Sequence, residues 1–170
     1  MKKLAKILLV LTLALLLIFS AVACDKENEN ENEKSVFTVR YNGVNIELGS
    51  KAGAVLDKLG APLSSNFVAS CGEGAGDQWV YVYSSMHIYT VKDGEDEIID
   101  GITLRDDIAD TSKSIRIGAT KTSVKNAYGD KLVEEENRLL YSEGFYVIEF
   151  LIDSNDKVTG IELRTELTDN

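Results

Sequence analysis

Residues 46–60 read IELGSKAGAVLDKLG and residues 115–129 read IRIGATKTSVKNAYG, and the two align without a gap. Ile46 falls on Ile115, Gly49 on Gly118, Val55 on Val124 and Gly60 on Gly129, with Leu48 on Ile117. The likeness resumes downstream, where Tyr83-Ser84 matches Tyr141-Ser142 and GITLR at 101–105 matches GIELR at 160–164. Self-similarity of this kind means that one supersecondary unit is used twice, which restricts the fold to what two such units can build together.

Each unit reads as a strand that ends at a glycine, a short helix, and a second glycine that closes it. Ser50 is the expected N-cap of the first helix and Thr120 of the second. Ala54, Val55, Leu56 and Leu59 can form one apolar stripe, and Val124, Ala127 and Tyr128 another. Helices this short are marginal alone, so both must pack on a sheet. Strand material follows in QWVYVYSS, MHIYTVK and IIDGITLRDD for the first copy and in RLLYSEG, FYVIEFLID and KVTGIELRTEL for the second. The polar connections DGEDE and SNDK suit hairpin turns. In the second copy Tyr146, Ile148, Phe150 and Ile152 alternate onto the better core face. The expectation is an α+β domain of two tandem repeats, 36–110 and 111–170, each a strand, a short helix and a three-stranded antiparallel meander, packed as one globular body.

The stretch 49–62, with a glycine, a helix centred on Val55 and a Leu59-Gly60-x-Pro62 exit leading to a Trp/Tyr-rich strand at Trp79, resembles the beta-lactamase inhibitor protein and the outer-membrane assembly lipoprotein BamE/SmpA. The echo at 118–129 lacks the proline, and each copy offers one helix where the family units place two. The resemblance implies a tandem α+β fold whose concave sheet face can bind protein.

The N-terminus fixes an expected location. Lys2, Lys3 and Lys6 precede the uncharged run ILLVLTLALLLIFSAVA, in the order of a secretory leader. Ala21-Val22-Ala23-Cys24 resembles the lipobox of bacterial lipoproteins. The expectation is therefore a cleaved signal peptide at 1–23 and a diacylglyceryl group on Cys24, which anchors the protein to the outer face of the cytoplasmic membrane. The tract DKENENENEKS at 25–35 has too little apolar surface to offset its ordering entropy, so 24–35 should act as an unstructured acidic spacer. Its coil-like reach is on the order of 20 Å, enough to lift the folded part off the headgroups.

Removing a leader with three lysines and no acid would take the net charge from −10 to −13. A surface so acidic argues against nucleic acid as a partner. With Cys24 lipidated, Cys71 has no disulfide partner; a lone thiol and the single His87 are the only pair that could suggest an enzyme. No metal-ligand spacing, serine elbow or phosphate-cradling loop occurs, and nothing calls for a cofactor. The segment Asp153-Ser154-Asn155-Asp156-Lys157 begins like a calcium loop but has Lys157 where an oxygen ligand belongs. The glycine-rich CGEGAGD at 71–77 reads as a long hairpin loop. Trp79, Tyr81 and Tyr83 share one face of their strand, with Val80 and Val82 on the other. They are either a strand covered on both sides or an exposed aromatic strip that contacts a partner. The functional expectation is a non-enzymatic binding or interaction module for an extracytoplasmic protein or ligand, with Trp79, Tyr81 and Tyr83 as its candidate face. Inhibition of a secreted hydrolase is the alternative, followed by a cell-envelope enzyme using Cys71 and His87.

Overall fold

A computed structural model of the chain describes residues 35–69 and 77–166. They belong to one compact unit, 34–170. The leader, Cys24 and nearly all of the spacer lie outside the described residues, as do 70–76 with Cys71.

Strands β1 (Thr38–Tyr41) and β2 (Val44–Glu47) form a hairpin. Its turn residues Asn42 and Gly43 both have positive φ, 49° and 80°, the geometry of the two-residue turns that match strand twist. Helix α1 (Ala52–Leu59) follows, then β3 (Ser64–Val68), β4 (Gln78–Val82), β5 (Met86–Asp93) and β6 (Asp96–Leu104). The second half runs β7 (Asp110–Thr111), α2 (Lys121–Tyr128), a 3-10 turn (Gly129–Lys131), β8 (Leu132–Glu135), β9 (Arg138–Glu143), β10 (Tyr146–Ile152) and β11 (Val158–Thr165).

The mixed α+β class is as expected, with antiparallel strands dominating. One sheet has the order β2-β1-β7. The other has eight strands in the order β3-β4-β5-β6-β11-β10-β9-β8, so each half contributes a four-stranded meander and the last strands of the two meanders meet at the centre. The expected three-stranded meanders are thus each one strand short. At the seam Ile102 stands opposite Leu163 and Leu104 opposite Ile161, all buried. Asp110 ties the small sheet together, accepting from Arg40 Nε and Nη2 at 3.1 and 2.8 Å.

Two features recur in both halves. Gly49 N–H donates to Ile99 O and Ile99 N–H to Ser50 O, at 2.8 and 2.9 Å; Gly118 N–H donates to Val158 O and Val158 N–H to Ala119 O, also at 2.8 and 2.9 Å. These bonds clip the start of each helix onto a meander. Each meander also has a register shift at the same place, between Tyr89 and Thr90 beside Gly101 and between Leu151 and Ile152 beside Gly160.

The helix caps and leading strands meet expectation at Thr120 and depart from it in two places. Thr120 caps α2, its hydroxyl accepting from Ser123 N–H at 3.0 Å. Lys51, not Ser50, is the N-cap of α1 and offers no side-chain cap, because the Ser50 hydroxyl donates back to Glu47 O at 2.7 Å. The expected strand at 115–117 does not form. Ser114 turns the chain with φ 62°, Thr111 N–H then donates to Ile115 O while Ile115 N–H donates to the Thr111 hydroxyl, and only Asp110–Thr111 is left to pair.

The core lies between the eight-stranded sheet on one side and the helices and small sheet on the other. Met86, Ile88, Ile99, Ile148 and Phe150 meet Ile46, Leu48, Ala52, Val124 and Tyr128. Of the first expected stripe, Ala54 is exposed, while Val55, Leu56 and Leu59 pack at the core margin. Tyr128 packs at a steep angle against Tyr141 and Phe150, with ring centroids 5.2 and 5.1 Å apart, but its buried hydroxyl has no partner of ordinary hydrogen-bond geometry. Burial pushes its pKa up to about 12, against a smaller opposing effect of Thr111.

A tyrosine that ionises near 10 when unfolded and holds its proton to about 12 when folded stabilises fully below pH 10, and that stability is lost as pH climbs toward 12. Tyr128→Phe removes an unsatisfied group without opening a cavity. It should melt at the same or a higher temperature at pH 7 and lose less stability between pH 10 and 12. Thermal melts across that range check both; a variant that melts several degrees lower at pH 7 would show that the hydroxyl has a partner.

Candidate functional site

Parity along β4 decides which side chains meet a partner. Trp79 stands opposite Thr90 and Tyr81 opposite Ile88, and Tyr83 N–H donates to Met86 O; Thr90, Ile88 and Met86 are all buried. Trp79, Tyr81 and Tyr83 therefore point to the covered side. Tyr83 is 6% exposed, and its hydroxyl donates to Gly60 O at the exit of α1. Tyr81 donates to Glu97 Oε1 at 2.8 Å, and the same oxygen accepts from the Thr90 hydroxyl. Burial, then the Glu97 hydrogen bond, pushes the Tyr81 pKa up to about 12. Trp79 is partly buried and packs on Phe67 with ring centroids 5.4 Å apart.

The other face of the same strands carries Val80 opposite Tyr89, Val82 opposite His87 and Gln78 opposite Val91. It continues onto β6, with Tyr89 opposite Gly101, His87 opposite Thr103 and Val91 opposite Ile98. The burial of β5 alternates strictly from Met86 to Val91, as expected for a strand covered on one side only. Among the described residues no helix or strand packs over this second face. Gly101 has no side chain to lift Tyr89 away; a Cβ there would lie 3.4 Å from Tyr89 Cβ and Cδ2. The ring is thereby seated on the sheet as a rigid, partly buried aromatic surface.

The face divides into two chemical halves. Over β4, β5 and β6 it is apolar and aromatic, through Val80, Val82, Tyr89, Val91 and Ile98. His87 lies among them, 6.4 Å from the Tyr89 ring. Burial and, less strongly, Arg105 lower its pKa below the usual range, so the imidazole is neutral at pH 7. Over β9, β10 and β11 the face is mixed, with an ion network set among Leu140, Val147 and Leu151. Glu149 holds Arg164 at 2.8 Å and Arg138 at 3.5 Å, and Arg138 also pairs with Glu135 at 2.5 Å. A groove of about 360 Å³ runs along the seam between the halves, floored by Gly101 and Thr103 and walled by Gln78, Tyr89, Glu162 and Arg164. A larger trough of about 600 Å³ opens at one end of the sheet, beside Val91, Ile98, Phe145 and Tyr146.

Half-buried aromatic and aliphatic surface beside fixed, paired charges can bind by shape and desolvation. An activated nucleophile needs a base within hydrogen-bond reach. His87 lies against Tyr89, and Cys71 lies outside the described residues, as do Cys24 and the rest of 71–76.

Two acidic segments have structural uses. Asp153 Oδ1 accepts from the backbone N–H of Asn155 and Lys157 at 2.9 and 2.8 Å; the Lys157 bond is the main reason that its pKa is lowered. That is a turn closed by its own aspartate. Glu134 is clamped by Lys121 and Lys125, whose hydrogen bonds hold its carboxyl at about 2. Val80, Val82 and Tyr89 were not singled out from sequence. The signal that points to them is the alternation Met86, Ile88, Thr90 in MHIYTVK, which assigns His87, Tyr89 and Val91 to one common face.

No family model and no curated protein matches the chain. Among solved structures it is similar to a DUF4309 family protein, YjgB, from Bacillus subtilis subsp. subtilis str. 168, with 14% identity and a TM-score of 0.40 over 74% of this chain and 84% of that one.

Proposed function

We propose that this chain is a lipid-anchored extracytoplasmic binding module. Its anchor is a diacylglyceryl group on Cys24 after loss of 1–23, its spacer is 24–35, and its docking surface is the open face centred on Val80, Val82, Tyr89 and Val91. It works without catalysis or cofactor, at the outer face of the cytoplasmic membrane, and its partner is an extracytoplasmic protein. The observation that carries the docking surface is the eight-stranded sheet with one face uncovered among the described residues and apolar over β4 to β6. The location rests on the order of lysines, apolar run and lipobox in the sequence.

We also read the domain as two tandem copies, 36–110 and 111–170. Support comes from the mirrored strand order about β6 and β11, the matching helix clips at Gly49 and Gly118, and the matching register shifts beside Gly101 and Gly160. The seam is what two-fold related copies would make, since Ile102 meets Leu163 and Leu104 meets Ile161. On this reading the scaffold is duplicated and the two halves of the open face have diverged, one without ion pairs and one crossed by the Glu149 network.

Site-specific photocrosslinking in intact cells tests the docking face. A benzophenone amino acid at Val80 or Tyr89 should give adducts with an envelope protein, whereas the same probe at exposed Lys58 on α1 should not. Adducts from Lys58 alone would move the partner to the helical side and overturn the assignment.

A further inference from the structure

The two outer strands of the large sheet differ in the property that decides whether an edge can pair. β8 reads LVEE; Glu134 is clamped by two lysines and Glu135 pairs with Arg138. Charges on an edge strand oppose the approach of another strand. β3 reads SSNFV, carries no charge, and is exposed at all five positions. Its register with β4 is unbroken from Ser64 opposite Val82 to Val68 opposite Gln78, so no bulge twists the edge away. Phe67 and Val68 within it are 51% and 49% exposed, and Leu63 just before it is 76% exposed. Among the described residues no strand pairs with its outer side, and such an edge offers backbone N–H and C=O groups and apolar side chains together.

We infer that β3 pairs with β3 of a second copy of this chain, antiparallel, extending the sheet across a two-fold axis. Charge selects the occupant. The chain carries a net −10, so its other acidic edge and most of its surface repel a second copy at close range. A basic peptide would find no carboxylate on β3 to hold it, and a neutral strand is complementary to this one. β3 itself is such a strand, and an antiparallel pairing with itself is self-complementary by symmetry. The same edge-to-edge join already occurs within the chain, where β6 meets β11.

The interface is small, well under the roughly 800 Å² per partner of a standard complex, so association should be weak and depend on local concentration. Its consequence is geometric. Val68, Val80 and Val82 lie on one face near the edge, so pairing sets two apolar half-faces side by side and makes docking bivalent. The inference stands apart from the docking proposal, because the edge can pair whether or not the open face binds a partner.

The test is cysteine crosslinking of the full chain in membranes, in a Cys71→Ala background that retains Cys24. Single cysteines at Ser64, Asn66 and Val68 on β3 are compared with Val133 and Glu135 on β8 under mild oxidation. Paired antiparallel positions lie within reach of a disulfide. The expected result is a covalent dimer from at least one β3 position, at least fivefold above either β8 position and above the background with no added cysteine. Adding Phe67→Lys should cut that yield about tenfold, and Ser65→Lys, which removes no apolar contact, should do the same; unchanged melting temperatures show that both variants remain folded. Equal dimer from the two edges, no dimer from β3, or β3 adducts only with a protein of different mass would each overturn pairing with a second copy.

Discussion

Gly49→Ala is expected to lower the stability of the domain by about 3 kcal/mol, while Gly118→Ala costs about 1 kcal/mol. The two glycines occupy matching places at the start of the two helices, and both have left-handed backbones, with φ of 81° and 87°. Any alanine pays the conformational strain at either position. Only at Gly49 does a Cβ also overlap the Tyr146 hydroxyl; around Gly118 nothing lies within 4 Å. Tyr146 cannot easily swing aside, because its ring packs on Phe37 at a centroid distance of 5.4 Å. Denaturant midpoints at constant m-value measure the difference. Tyr146→Phe in the Gly49→Ala background should recover the part due to the hydroxyl and leave the backbone strain. Equal losses at the two glycines would mean that the Tyr146 contact is absent.

Much of this architecture was legible because a strand with one buried side writes an alternating pattern. Met86, Ile88 and Thr90 on β5, and Ile148, Phe150 and Ile152 on β10, are such patterns, and both strands form where expected. β3 and β8 were missed for the matching physical reason. They are edges with little or no buried side, so SSNFV and LVEE carry no period of two. The strand expected at 115–117 shows the reverse error. Ile115 and Ile117 look like strand, yet Ile115 is buried by a turn onto Thr111 and has no ladder to join.

Which face of β4 is left open was harder to read. β4 is apolar on both sides, and large rings in sequence suggest a contact surface. In the fold the larger residues fill the thicker side, with Tyr83 reaching Gly60 and Tyr81 reaching Glu97. The smaller valines are left outside. Which side of such a strand is covered depends on where α1 and the small sheet pack, and that information lies in no local window.

The last expected result concerns how the two halves are held together. Their seam is only four residue pairs long, 101–104 against 161–164, which is little backbone bonding for a join between two four-stranded meanders. Its strength must come from side chains. Leu163 has no exposed surface and stands opposite Ile102 on β6 and Ile148 on β10, so it belongs to the packing of both meanders. Leu163→Ala should cost about 3 kcal/mol, from lost transfer energy and the cavity left behind, and lower the melting temperature by roughly 10 °C. The unfolding should nevertheless remain one transition, coincident by far-ultraviolet circular dichroism and by Trp79 fluorescence. Trp79 reports on β4, in the first half, and circular dichroism on all strands, so separate melting of the halves would split the two curves. A split already present in the wild type would mean that the meanders are independent units and that the seam contributes little. A split that appears only in Leu163→Ala would place the coupling between the halves at this one residue pair. If the curves coincide in both proteins, the helix clips and the shared core hold the halves together even when the seam is weakened.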